Sequence, residues 1–188
     1  MVKLAILASG NGTNAQRISE YFAAHNDINV DCIIYNVKDA YVAKRAEAVG
    51  VPAYLFKKSD FYENGNVLSF LKERNIEWVI LAGFLWLVPK AIIDAFPHRI
   101  INIHPALLPL YGGKGMYGNH VHEAVIANHE KESGITIHTI DDQYDKGEIL
   151  FQAKCGITEE DTPETLAAKI HELEQAHFPA VIEKAILG

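Results

Sequence analysis

The sequence predicts an α/β fold: an open, mostly parallel twisted sheet with helices on both faces and an antiparallel addition near the C-terminal end. Short apolar runs alternate with helix-periodic segments from the first residues onward, the signature of strand–helix–strand units. Strands joined in this way lie parallel and are covered on both faces. Two strand-like runs near the end are separated only by a turn, which adds the antiparallel part.

Each element has its own signal. Residues 2–8 are short and apolar and stop at Ser9-Gly10. Residues 14–24 read as a helix with Ile18, Tyr21 and Phe22 on one face and Asn14 as cap. Residues 30–35 form a second buried strand. Asp39 is read as the cap of a helix ending at Ala48 and closed by Gly50. Residues 51–56 form a third strand, placed at an edge by Pro52. A helix at 67–74, an apolar strand at 78–82 and a short helix at 89–96 opened by Pro89 follow. Residues 99–104 form a fifth strand, halted by Pro105. Residues 105–119 carry four glycines and two prolines without periodicity, the mark of a loop that is either functional or disordered. A helix at 121–127, strands at 135–140 and 149–153, and a long helix at 162–187 complete the chain. Thr162 caps that last helix, and a kink is expected near Pro179. The whole is Rossmann-like.

The chain has 188 residues, about half of them apolar, and 17 basic against 24 acidic side chains give a net charge of −7. That composition suits one globular domain over residues 1–188 and excludes disorder. The acidic balance argues against a nucleic-acid-binding face. Cys32 and Cys155 form no C-x-x-C pair and read as reduced core thiols. No apolar run approaches the roughly 20 residues of a membrane span, and the first residues enter a strand pattern with no cleavage site, so a cytoplasmic address is expected.

Several motifs carry chemistry. Ser9-Gly10-Asn11-Gly12-Thr13-Asn14 joins the first strand to the first helix, where free amides and the helix dipole favour an anion. Phosphate binding is the favoured reading. A tight structural turn and a dinucleotide site compete with it, but the second strand ends Tyr35-Asn36-Val37 without the acidic residue that holds a ribose. In Ile100-Ile101-Asn102-Ile103-His104-Pro105, strand alternation puts Asn102 and His104 on one side, at a carboxyl end where open sheets place ligands. An amide and an imidazole together suit a reaction that passes through an oxyanion. The run from Asp141 to Gly147, after the strand that carries His138, offers a carboxylate to orient His104; alone it reads as a solvated turn. His120-Val121-His122-Glu123 lacks a third ligand at a metal spacing, so no metal is assigned. Phe84-Leu85-Trp86-Leu87 reads either as core or as the wall of a flat heteroaromatic pocket.

Taken together these residues resemble the folate-dependent formyltransferases over essentially the whole chain. The resemblance rests on Ala8-Ser9-Gly10-Asn11-Gly12-Thr13-Asn14, Leu81-Ala82-Gly83-Phe84, Asn102-Ile103-His104-Pro105 with Leu107-Leu108-Pro109, and Gly134-Ile135-Thr136-Ile137-His138 leading to Asp145. It implies formyl transfer from 10-formyltetrahydrofolate, as co-substrate, to an amine, and the first loop points to the glycinamide ribonucleotide branch. Residue by residue it implies a catalytic trio of Asn102, His104 and Asp145. It implies a phosphate loop of Gly12, Thr13 and Asn14, with Glu174 contacting the substrate ribose. It places Leu85, Trp86, Leu87 and Val88, with Thr139, Ile140 and Asp141, around the pterin.

Three departures stand out. Trp86 occupies a position where many members have arginine. Phe61-Tyr62-Glu63-Asn64 lacks an arginine that helps bind phosphate in some members. The loop at 111–118 is longer than usual, and its Lys114 is one candidate for the missing charge. Small-molecule partners and a monomer or weak homodimer are expected. The rival readings are a formyltetrahydrofolate deformylase, another formyltransferase, and a non-enzymatic nucleotide-binding regulator.

Overall fold

The computed structural model describes residues 1–140 and 147–188. In chain order the elements are β1 (Val2–Ala8), α1 (Thr13–Phe22), β2 (Ile28–Tyr35), α2 (Val42–Ala48), β3 (Ala53–Leu55), α3 (Lys58–Tyr62) and α4 (Asn66–Glu73). They continue with β4 (Trp78–Leu81), α5 (Lys90–Ala95), β5 (Ile100–His104), α6 (Asn119–Ala127), β6 (Glu132–Thr139), β7 (Ile149–Gly156) and α7 (Pro163–Leu187). The chain divides into two compact units between Ile101 and Asn102, so the boundary falls within β5. Strand order is β3-β2-β1-β4-β5 on the first side and β5-β6-β7 on the second. The predicted fold class is the observed one.

In the first unit β1 pairs parallel with β2 and β4, and β2 pairs parallel with β3. Leu4 to Ala8 are all fully buried. A central parallel strand is covered on both faces, which is why this run is continuously apolar instead of alternating. Ile33, Ile34, Val79 and Ile80 are likewise at 0% exposure, each stabilising the fold by about 1.5–3 kcal/mol. β3 is the edge strand, as Pro52 predicts; the Pro52 carbonyl accepts from Ile33 N at 2.9 Å, and the missing Pro N–H costs the edge nothing. Cys32 lies at 0% exposure beside the Asp31–Arg74 pair; burial and then the Asp31 charge push its thiol up to about 12, so it is inert.

Several expectations in this unit are corrected. The cap of α1 is Gly12, in the left-handed region at φ 77, and not Asn14, which lies inside the first turn. Tyr21 is exposed; the helix buries Ala15, Ile18, Ser19 and Phe22. α2 starts at Val42 with Tyr41 as cap, not at Asp39, which sits at φ 66 before it. Its C-terminal end closes as expected, Gly50 N bonding to Glu47 O and Val51 N to Ala46 O. Pro89 caps α5 from outside. α3 was absent from the reading of periodicity. Five residues are too few to show a period, and Asp60 starts the helix by accepting from Lys57 N at 2.9 Å.

In the second unit β6 and β7 pair antiparallel, Ile135 facing Ala153. β7 alternates between exposed and half-buried residues, as a strand with one solvated face does. Cys155 belongs to it and is half-buried, so it is no core thiol. α7 begins as predicted: Thr162 Oγ1 accepts from Thr165 N at 3.3 Å, and Thr165 Oγ1 accepts from Thr162 N at 2.9 Å. The helix runs through the buried Pro179 to Leu187. Just ahead of it Asp161, 6% exposed, accepts from Lys169 Nζ at 2.6 Å, Thr158 N at 2.8 Å and Thr165 Oγ1 at 2.8 Å.

Those donors, Lys169 foremost, hold the Asp161 carboxyl well below the usual carboxylate range. A depressed folded-state value means stability that is complete above about pH 4 and is lost as pH falls toward the folded value. Thermal unfolding of Asp161→Asn is therefore expected to show a lowered midpoint at pH 7. The gap to wild type should narrow as pH is lowered to 3, and a pH-independent gap would contradict the linkage.

Candidate active site

In the first unit the loop between β1 and α1 is held from several sides. Ser9 N donates to Gly83 O at 3.0 Å, and Ser9 Oγ accepts from Leu85 N at 2.9 Å, so the carboxyl ends of β1 and β4 are tied together. Gly10 O accepts from Val42 N at 3.2 Å, and Gly12 O accepts from Gln16 N at 2.9 Å. Gly12 is there of necessity. Its φ of 77 suits glycine, and a Cβ would stand 2.4 Å from Val42 Cγ2 and 2.8 Å from Val42 Cα. Thr13 and Asn14 open α1, where the amides lack intrahelical partners. No acidic side chain lies in that turn to repel an anion. Asn36, at the end of β2, is 9% exposed, and its side-chain amide has no partner among the described residues.

The stretch after β4 is neither simply core nor simply surface. Val88 is buried, Leu85 and Leu87 are about half exposed, and Trp86 stands edge-on to Phe61 with centroids 5.5 Å apart. Phe84 and Tyr62 complete this aromatic cluster, and Tyr62 OH donates to Leu87 O at 2.6 Å. The segment predicted to lack an arginine thus supplies the aromatic backing of Trp86.

The second unit holds Asn102 and His104. His138, 1% exposed, has Nδ1 2.8 Å from Thr139 O and Nε2 3.1 Å from Asn102 Nδ2. A ring nitrogen facing a carbonyl must be the donor, so Nδ1 carries the proton and Nε2 accepts from Asn102. The amide of Asn102 is thereby oriented, with its second N–H left to donate elsewhere. His104, 4% exposed, has Nε2 2.7 Å from Tyr111 O, which makes Nε2–H a donor. Tyr111 is itself anchored: its hydroxyl donates to Glu130 Oε1 at 2.7 Å and accepts from Asn128 Nδ2 at 2.9 Å. Thr136 ties the chain after His104 to β6, accepting from Leu108 N at 2.9 Å and donating to Ala106 O at 2.7 Å.

Glu174 lies on α7 between the buried Ile170 and Phe178, at i+4 spacing from each, with its side chain 14% exposed. His122 of α6 is 6% exposed; burial pushes its imidazole down, against the nearby Glu174 carboxylate, while His104 adds to the lowering. The structure thus brings His104, His122 and Glu174 into one electrostatic neighbourhood.

Thr139 is buried and Ile140 half-buried at the end of β6. Glu148 N donates to Thr139 Oγ1 at 3.1 Å and Thr139 N to Glu148 O at 2.9 Å. Gly147 closes this base because a Cβ there would stand 1.7 Å from Thr139 O. Asp141 and Asp145 lie outside the described residues. Lys114 and His120 are exposed, and among the described residues no group of three or more His, Cys, Asp or Glu side chains is placed to hold a metal.

Sequence reasoning assigned no role to His138, Tyr111, His122 or Arg45. For His138 a signal existed: Thr136 and His138 alternate with apolar neighbours in a strand, which sets two polar side chains on one buried face. For Tyr111 there was none, since its contribution is a backbone carbonyl.

Residues 2–182 match the Formyl transferase family, and this chain belongs to it. The relatives bearing a particular name agree with one another. The chain is 38% identical over 187 residues to the chloroplastic phosphoribosylglycinamide formyltransferase of Arabidopsis thaliana, covering 96% of this chain and 64% of that one. It is 35% identical over 194 residues to the phosphoribosylglycinamide formyltransferase of Bacillus subtilis, covering 100% of this chain and 96% of that one. The chain spans less than two thirds of the length of the plant relatives it matches. The crystal structure of phosphoribosylglycinamide formyltransferase from Streptococcus pneumoniae superposes with a TM-score of 0.88 at 34% identity, covering 99% of each chain. Among the described residues no helix is long and apolar enough to cross a membrane.

Proposed function

We propose that this chain transfers the formyl group of 10-formyltetrahydrofolate to the primary amine of glycinamide ribonucleotide, residues 1–188 acting as one catalytic domain. The observation that carries the reading is the pair of oriented side chains at the end of β5. Asn102 is held by His138, and His104 by the Tyr111 carbonyl, within a chain of the formyltransferase family.

The amine nitrogen attacks the formyl carbon and the carbonyl oxygen becomes an oxyanion. The remaining N–H of Asn102 donates to that oxyanion. His104, whose Nε2–H donates to Tyr111 O, takes the proton from the attacking amine. It returns that proton to the folate nitrogen as the carbon–nitrogen bond to folate breaks. The products are the formylated ribonucleotide and tetrahydrofolate. Asp145 enters as the carboxylate that favours the charged imidazole. Gly12, Thr13 and Asn14 take the phosphate, Glu174 the ribose, and Leu85, Trp86, Leu87, Val88, Thr139, Ile140 and Asp141 the pterin. The partners are these small molecules, with no nucleic acid, in the cytoplasm, and the protein works as a monomer or weak homodimer.

The test follows the absorbance change when formyltetrahydrofolate loses its formyl group, with and without glycinamide ribonucleotide. Turnover that requires the amine is expected. Amine-independent turnover makes the protein a deformylase, and no turnover with either makes it a binding protein.

A further inference from the structure

The proposed phosphate loop raises a question of charge, because the first turn of α1, Thr13 to Gln16, carries no cation and Phe61-Tyr62-Glu63-Asn64 lacks an arginine. From the loop's own contacts we infer that Arg45 of α2 is the positioning residue of this anion site and the source of its positive charge. This rests on the phosphate reading of Gly12, Thr13 and Asn14.

Arg45 grips the loop with its whole fork. Nε donates to Asn11 O at 2.9 Å, Nη2 to Asn11 Oδ1 at 3.2 Å, and Nη1 to Gln16 Oε1 at 2.5 Å. Gln16 in turn bonds Gly12 O through its backbone N–H and Glu20 Oε1 through its amide. The guanidinium also packs against the Tyr41 ring, 5.0 Å from its centroid. Three successive loop residues therefore rest on one face of α2: Gly10 on the Val42 amide, Gly12 against the Val42 side chain, and Asn11 on Arg45.

The bond to Asn11 O has a directional consequence. A trans peptide is planar, with its C=O and N–H opposed. Drawing the Asn11 carbonyl onto Arg45 turns the Gly12 N–H the other way, so that it joins the α1 amides as a donor. Three of the five guanidinium N–H groups are bound to the loop and to Gln16, so the role inferred for Arg45 is exerted through loop geometry and field. A lysine cannot reproduce this, since one ammonium cannot hold a backbone oxygen, a side-chain oxygen and Gln16 in a planar fork.

The experiment compares two amines in the full chain: glycinamide ribonucleotide and the same glycinamide riboside without its phosphate. Formyl-transfer kcat/KM is measured for each at saturating formylfolate in wild type, Arg45→Met and Arg45→Lys. Arg45→Met should lose about ten- to thirtyfold in kcat/KM with the ribonucleotide, through KM rather than kcat. Its value with the riboside should be unchanged. Arg45→Lys should recover only part of the loss. Equal losses with both amines, or no loss with the ribonucleotide, overturns the assignment. If Arg45→Met does not fold, Gln16→Ala removes the Nη1 partner and should shift the ratio of the two amines in the same direction by a smaller factor; an unshifted ratio overturns the assignment. A wild type with no preference for the phosphorylated amine refutes the phosphate reading itself, and Arg45's role with it.

Discussion

His104→Ala is expected to lower turnover by at least about a hundredfold while both substrates still bind. The imidazole is 4% exposed and held through Nε2 by a carbonyl whose own residue is fixed by Glu130 and Asn128. Removing an acid–base group of this kind costs about 10²–10⁴ in rate, and removing the oxyanion donor Asn102 about 10²–10³. Because the two act in one step, the double variant should fall well short of the product of the single losses. Steady-state turnover and calorimetric titration of each substrate check this. A near-normal rate in His104→Ala removes it from the mechanism.

Gly12→Val is the second large effect. A Cβ at this position meets Val42 Cγ2 at 2.4 Å, Val42 Cβ at 2.5 Å and the Val42 backbone at 2.8 Å. A side-chain terminus can rotate aside, but a backbone carbon in a helix cannot. The left-handed φ of 77 adds strain for any residue with a Cβ. The loop must therefore lift from α2, and its amides no longer converge. Ribonucleotide affinity is expected to fall by about a hundredfold, equivalent to about 2.7 kcal/mol, with formylfolate affinity nearly unchanged. Equal weakening of both ligands in calorimetry makes the loop a structural turn only.

Much of this protein is legible in one dimension, and particular elements show why. β1 reads correctly to the residue because a short apolar run, interrupted only by Lys3, is stopped at once by Ser9-Gly10. The start of α7 reads correctly because Thr162 and Pro163 act on their immediate neighbours. α1 starts one residue earlier than expected and its cap lies two residues earlier, for an informative reason. Asn14 has the chemistry of a cap, but Gly12 is the residue whose left-handed backbone lets the chain enter the helix beneath Val42. That constraint comes from a residue thirty positions away. The same holds for Leu85 and Leu87, whose apolarity argues for burial but which stand about half exposed.

The sequence alone determined the alternation of strands and helices apart from α3, the parallel sheet with its antiparallel end, and the identity of Gly12, Asn102 and His104 as the residues to watch. Local hydrophobic pattern, turn chemistry and strand alternation act over a few residues and are written in the chain itself. Only the tertiary structure decided how those residues are aimed. His138 orients Asn102 from 36 positions away, the Tyr111 carbonyl assigns the proton on His104, and Arg45 holds the Asn11 carbonyl ahead of Gly12 from a different helix. Hydrogen-bond direction depends on groups meeting in space, and no pattern along the chain records which donor will face which acceptor.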